Sequence, residues 1–239
     1  MDAISLIDQN YRHVLDRISQ ASNRAGRDPV GVKLVVVTKT HPLEVVQAVV
    51  EAGATYLGEN YAEEAIPKIL SLSSDRKIEW HMIGHVQSRK AMLICDYFDY
   101  MHSLDSVKLA ARLQRFADDK NRVLPVLLEC NLAGEANKYG WPIWLEDGWN
   151  HQVSEIRQVV DYSHLDVRGL MGMAPFFSEP GPARPYYDRL RRFGDFLKQK
   201  IPQADWSELS MGMSGDFEVA IEEGATWIRV GTSILGPRG

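Results

Sequence analysis

The chain has 239 residues, of which 45% are hydrophobic and 25% charged, and a formal net charge of -5 at pH 7. Those proportions suit a soluble globular protein and exclude disordered and fibrous architectures. Without an excess of Lys and Arg to neutralise phosphates, nucleic acid is not an expected partner.

Ile4, Ile7, Tyr11, Val14, Ile18, Ala21 and Ala25 recur in steps of three and four, which predicts a helix over 4–25. Gly26 and Pro29 stop it. Residues 32–38 form a β-branched apolar run, read as a strand buried on both faces. A helix follows Pro42 and ends at Gly53. The cycle then repeats. Further strands are predicted at 55–58, 79–83, 100–104, 123–130, 167–173, 208–211 and 227–230. Helices are predicted at 61–72, 86–94, 106–120, 147–162, 183–200 and 216–223. Strands alternating with helices imply right-handed βαβ units and a parallel sheet. Eight units fit one closed (β/α)8 TIM barrel with an extra N-terminal helix, occupying 1–239 as a single domain. The competitor is a doubly wound open sheet, whose GxGxxG fingerprint is missing after the first strand.

Barrel chemistry sits at the C-terminal ends of the strands. Lys39 shares strand parity with Val35 and Val37. If that face is the interior, an amine stands at the mouth of an apolar cavity. Burial there favours its neutral, nucleophilic form. The alternative is a solvated lysine that merely closes the strand. After strands seven and eight, Ser210, Ser214, Gly231 and Thr232 supply hydroxyls and close backbone approach of the kind that holds phosphate in barrels. Ser214 reads equally well as the N-cap of the 216–223 helix. A lysine for an aldehyde and a cup for a phosphate together describe pyridoxal 5′-phosphate (PLP). Arg229 shares parity with Gly231. Facing inward it meets the cofactor ring as a pure donor, leaving the ring nitrogen unprotonated and the ring a poor electron sink. Facing outward it pairs with Glu222 or Glu223.

The segments Val36-Val37-Thr38-Lys39-Thr40, Gly58-Glu59-Asn60-Tyr61, His81-Met82-Ile83-Gly84-His85, Gly172-Met173-Ala174-Pro175, Leu209-Ser210-Met211-Gly212-Met213-Ser214 and Ile228-Arg229-Val230-Gly231-Thr232 resemble the YggS/PROSC family of pyridoxal-phosphate homeostasis proteins. The resemblance covers nearly the whole chain, in order. It implies the alanine-racemase N-terminal barrel, the type III fold of PLP proteins. It further implies Lys39 as the Schiff-base lysine, Ser210, Gly231 and Thr232 on the phosphate, Arg229 at the ring nitrogen and Asn60 near the ring. His85 departs from the family, which usually has Pro there. Trp141, Trp144 and Trp149 lie in a segment that varies among members.

A two-base racemase needs a second proton-transfer group on the opposite face of its substrate. In the racemases an additional β-domain supplies it across a dimer interface. The chain reaches Gly239 soon after the eighth strand, so the expectation is a protein that carries and buffers PLP for apoenzymes and supports vitamin B6 and amino-acid homeostasis, without robust turnover. The alternatives are a slow PLP-dependent amino-acid racemase and a cofactor-free Schiff-base aldolase.

No apolar run approaches the roughly 18 residues of a membrane span. Met1-Asp2-Ala3-Ile4-Ser5 has neither the basic nor the apolar region of a signal peptide. A cytoplasmic monomer is expected. Cys95 and Cys130 lack CxxC spacing and read as two buried structural thiols. His81 and His85 straddle a strand end, and Met82 stands where a zinc-protease motif needs Glu, so no metal site is expected. Arg184, Arg189, Arg191 and Arg192 read as a solvated helix face, with a dock for an acidic partner as the alternative. Glu59 and Glu79 are carboxylates with nothing to place them together.

Overall fold

The computed structural model describes residues 3–73, 78–135 and 138–237. Its elements run α1 (Ala3–Arg24), β1 (Lys33–Val37), α2 (Leu43–Glu51), β2 (Tyr56–Glu59), α3 (Ala62–Leu72), β3 (Glu79–Met82), α4 (Ala91–Tyr97), β4 (Tyr100–Leu104), α5 (Val107–Asp119), β5 (Leu124–Asn131), β6 (Trp141–Pro142), α6 (Trp149–Val160), β7 (Leu165–Gly172), α7 (Arg184–Lys200), β8 (Glu208–Ser210), α8 (Phe217–Glu222), β9 (Trp227–Val230) and α9 (Thr232–Leu235). Every pairing is parallel. The sheet order β4-β3-β2-β1-β9-β8-β7-β5 closes on itself through β4–β5. That ring of eight strands, with helices around it, is a TIM barrel. The two-residue β6 pairs only with the last two residues of β5.

Alternation of side chains divides the apolar residues into two cores. Leu34 and Val36 face outward and join the large layer between strands and helices, where Val46, Leu57, Leu113, Leu190 and Ile228 are buried. Val35 faces inward and packs with Tyr100, Leu127, Met171 and Trp227. The rest of the barrel interior is aromatic and polar. The His81 ring stacks on Tyr100 at 5.3 Å, and the Tyr56 ring meets Trp227 edge-on at 5.1 Å.

The helical stripe of α1 buries Ile7, Tyr11, Val14, Ile18 and Ala21, and the helix packs on α8, α2 and α9. Ile4 departs from the expectation and stays 57% exposed. It lies in the first turn, ahead of the contacts made by Ile7 and by Asn10, whose amide donates to the Ile234 carbonyl at 3.1 Å. The helix expected over 86–94 starts later, because Gln87 is extended and a single 3-10 turn at Ser88–Lys90 precedes α4. Both cysteines are buried, and burial lifts the Cys95 thiol to about 11. The arginines of α7 are paired within the chain. Arg184 binds Glu222 and Glu223, and Arg192 binds Glu146.

Candidate functional site

Lys39 follows the last residue of β1. Its parity partners Val35 and Val37 point into the barrel, so its side chain joins Val37 in the wall of a cavity of about 470 Å³ at the C-terminal mouth. The residue before it is fixed at every polar atom. Thr38 N donates to the Gly58 carbonyl at 2.9 Å and its hydroxyl to Glu59 Oε1 at 2.7 Å, while its carbonyl accepts from Lys68 Nζ at 3.0 Å.

Arg229 faces inward and is 4% exposed. Its Nη1 donates to Ser210 Oγ at 2.6 Å and its Nη2 to the Gly172 carbonyl at 3.2 Å. The outward alternative fails, since Arg184 occupies both Glu222 and Glu223. Burial lowers the guanidinium pKa, yet Arg remains a cation in proteins. Below it runs a chain of buried groups: Ser210 Oγ lies 2.8 Å from His102 Nδ1, and the other ring nitrogen of His102 lies 2.9 Å from His81 Nδ1. A guanidinium only donates, and the Ser210 proton has His102 as its acceptor. We therefore assign the Nε2–H tautomer to both rings. His81 Nε2–H then faces the Glu79 carboxylate at 3.8 Å. Burial keeps both rings neutral, with His81 lowered to about 3 and His102 well below its usual value.

Asn60, Gly231, Thr232 and Ser214 line the same cavity. Gly231 lets the backbone come close there, since a Cβ would stand a tight 3.2 Å from both the Cβ and the carbonyl oxygen of Val37. Ser210 is buried and lies outside the cavity lining. It pairs in register with Trp227, level with the aromatic layer and four residues below Gly231, about 13 Å along a strand. Its hydroxyl is taken by Arg229 and His102. Ser214, four residues further on, reaches the mouth instead. It does not cap α8; Asp216 holds that position, with its carboxylate accepting from Met213 N at 2.7 Å and from the Tyr187 hydroxyl at 2.7 Å.

The opposite wall carries a residue the sequence reading passed over. Glu129 of β5 lines the cavity and is 7% exposed, and its Oε2 has no hydrogen-bond partner among the described residues. Burial pushes its carboxyl up to about 7, with Asp105 adding to the rise and Arg229 and Lys138 opposing it. A charged residue inside the apolar run 124–130 was the available signal. A carboxyl raised in the native state binds its proton more tightly there than in the unfolded chain. Its contribution to stability is therefore full below pH 4.5 and lost as pH rises to about 7, roughly 3 kcal/mol in all. Urea unfolding between pH 4.5 and 7.5 checks this: Glu129→Gln removes that loss and raises stability at pH 7.5.

At the rim, His85 Nδ1 meets Asp105 Oδ2 at 2.7 Å and its ring stacks on Tyr139 at 3.6 Å. Phe176, also lining the cavity, is 95% exposed. His81 and His85 do not converge, and among the described residues no cluster of His, Cys, Asp or Glu is placed to hold a metal. No described helix is long and apolar enough to cross a membrane.

A buried cation, a lysine on the rim and a hydroxyl-and-glycine turn in one cavity suit an anionic aldehyde, and known proteins agree. Residues 9–239 match the family model of the alanine racemase N-terminal domain. The chain is 35% identical to the pyridoxal phosphate homeostasis protein of Vibrio alginolyticus, over 98% of this chain and 99% of that one. It is 38% identical to the protein so named in Aquifex aeolicus, over 96% and 97%. PipY of Synechococcus elongatus, solved with PLP bound, superposes with a TM-score of 0.80 at 35% identity, over 93% of this chain and 100% of that one. An alanine racemase from Streptomyces lavendulae shares the fold, with a TM-score of 0.72 at 16% identity, over 97% of this chain and 56% of that one. The chain belongs to the pyridoxal phosphate homeostasis protein family, built on the alanine racemase N-terminal barrel.

Proposed function

We propose that this protein binds PLP at the barrel mouth, holds it covalently on Lys39 as a Schiff base and gives it up to PLP-dependent apoenzymes, acting as a monomeric carrier and buffer in the cytoplasm. The observation that carries this reading is the convergence of Lys39, Arg229, Gly231 and Thr232 on one cavity. The PLP-bound relative, matched over 100% of its own chain at 35% identity, supports it. When bound, PLP supplies an aldehyde that condenses with primary amines and a ring that withdraws electrons. Lys39 contributes the amine. Gly231, Thr232 and Ser214 bind the phosphate through backbone approach and hydroxyls, and Asn60 orients the ring. Arg229, unable to accept a hydrogen bond, keeps a proton off the ring nitrogen and so weakens electron withdrawal.

In absorption spectra the parent loaded with PLP shows a visible band that Lys39→Ala lacks. Borohydride reduction followed by peptide mass mapping places the label on Lys39. A band that persists in Lys39→Ala, with the label on Lys90 or Lys138, overturns the assignment. Glu129 favours a second reading, slow racemisation, because a carboxyl that titrates near neutrality in the cavity wall can exchange a proton. Deuterium exchange at Cα of an amino acid separates the two: turnover of several per second defeats the carrier.

A further inference from the structure

Thr40, directly after Lys39, has φ +63, a left-handed conformation disfavoured for a β-branched residue. Its N–H donates to Glu64 Oε1 at 2.5 Å. The same carboxylate oxygen accepts from Lys68 Nζ at 2.8 Å, and Lys68 also donates to Glu59 Oε1 at 2.9 Å and to the Thr38 carbonyl at 3.0 Å. Lys68 is a buried ammonium. Burying a charge is costly unless it is paired and hydrogen-bonded. Here all three of its donors go to the ends of β1 and β2 and the first turn of α3, the segments that flank Lys39 and Asn60.

We infer that Lys68, acting through Glu64 and the Thr38 carbonyl, is the positioning residue that holds Thr40 left-handed and thereby aims the Lys39 amine into the cavity. Lys68 itself lies outside the cavity lining. The clasp fixes the backbone on both sides of Lys39, so the strain at Thr40 is sustained by neighbours rather than by the ligand. The inference rests on Lys39 being the lysine that bonds PLP.

The test mixes PLP-free full-length protein with PLP and follows the rate at which the visible band grows, alongside the melting temperature by circular dichroism. Lys68→Met and Glu64→Ala are each expected to slow band growth by about tenfold or more, as a loss of preorganisation at the reacting amine does. Thr40→Gly is the diagnostic partner, because glycine takes the left-handed conformation without strain. Added to either variant, it restores the rate to within about threefold of the parent. A merely structural Lys68 would lower the melting temperature without any rescue of the rate by Thr40→Gly. A parental rate in Glu64→Ala, or a slow rate that Thr40→Gly fails to restore, overturns the inference. Glu64 is partly exposed, so that variant decides the matter even if Lys68→Met does not fold. A band in Lys39→Ala signals instead that the underlying assignment has failed.

Discussion

Acidification from pH 7 to pH 4 destabilises this protein steeply, because two buried histidines cannot take up protons without losing their places. In the unfolded chain a histidine protonates near pH 6.5, whereas burial holds His81 to about 3 and His102 well below its usual value. The unfolded state then binds more protons than the native one below pH 6.5, so stability falls as pH falls through the window from 6.5 to about 3. His81 alone accounts for about 3 kcal/mol by pH 4, at 1.36 kcal/mol per unit. His102 adds to it with the same sign. Glu129 works the other way between pH 7 and 4.5, so the fall is clearest in Glu129→Gln. Urea unfolding at intervals across pH 7–4 measures it. The imidazole resonances of His81 and His102 should keep their neutral positions until the molecule unfolds. A stability that stays flat or rises across this range in Glu129→Gln would contradict the buried chain.

Gly169→Ala should prevent folding. Gly169 has φ +151, and a Cβ on it would lie 1.8 Å from the Glu208 carbonyl oxygen, its neighbour across the β7–β8 seam. Backbone cannot yield there without parting β8, the strand that carries Ser210. The loss exceeds the roughly 4–5 kcal/mol that marks the most damaging single substitutions. Gly194→Ala is the matched control, for its Cβ would meet only ordinary contacts at 3.7 Å and beyond inside α7. There alanine gains up to about 1 kcal/mol of helix propensity. Circular dichroism with size-exclusion chromatography separates the outcomes, and a folded, monodisperse Gly169→Ala would show that the seam tolerates displacement.

Gly169 also marks where sequence reasoning loses its footing. Period-two alternation located Lys39 and Arg229 because β1 and β9 pair without irregularity over Lys33–Val36 and Trp227–Val230. In β7 the pairing steps from Val126↔Val167 to Leu127↔Gly169, so Arg168 is an inserted residue. Val167 therefore faces the helices while Met171 faces the barrel axis, although four residues apart they share parity. Alternation cannot see a bulge, which reverses every side chain beyond it. Nor can it see depth. Ser210 does face inward, but the stagger of a closed barrel sets its level, and that level belongs to Trp227. Glu129 and Lys68 were visible only as charges inside apolar patterns, and tertiary packing alone reveals what they meet. The helices were the easier part, because their stripes run over many residues and survive a shift of a turn, as at α4.

The hydrogen-bonded row from Arg229 through Ser210 and His102 to His81 has one sense only. Each group hands its hydrogen away from the mouth, so the small dipoles add, and the negative end of every one leans toward the guanidinium. Reversal would leave the Ser210 proton facing only Arg229, which cannot accept it. The centre of the barrel is thus a permanently polarised rod. It spreads the counterweight to a cation over uncharged rings, and so leaves that cation's field directed at whatever enters from above.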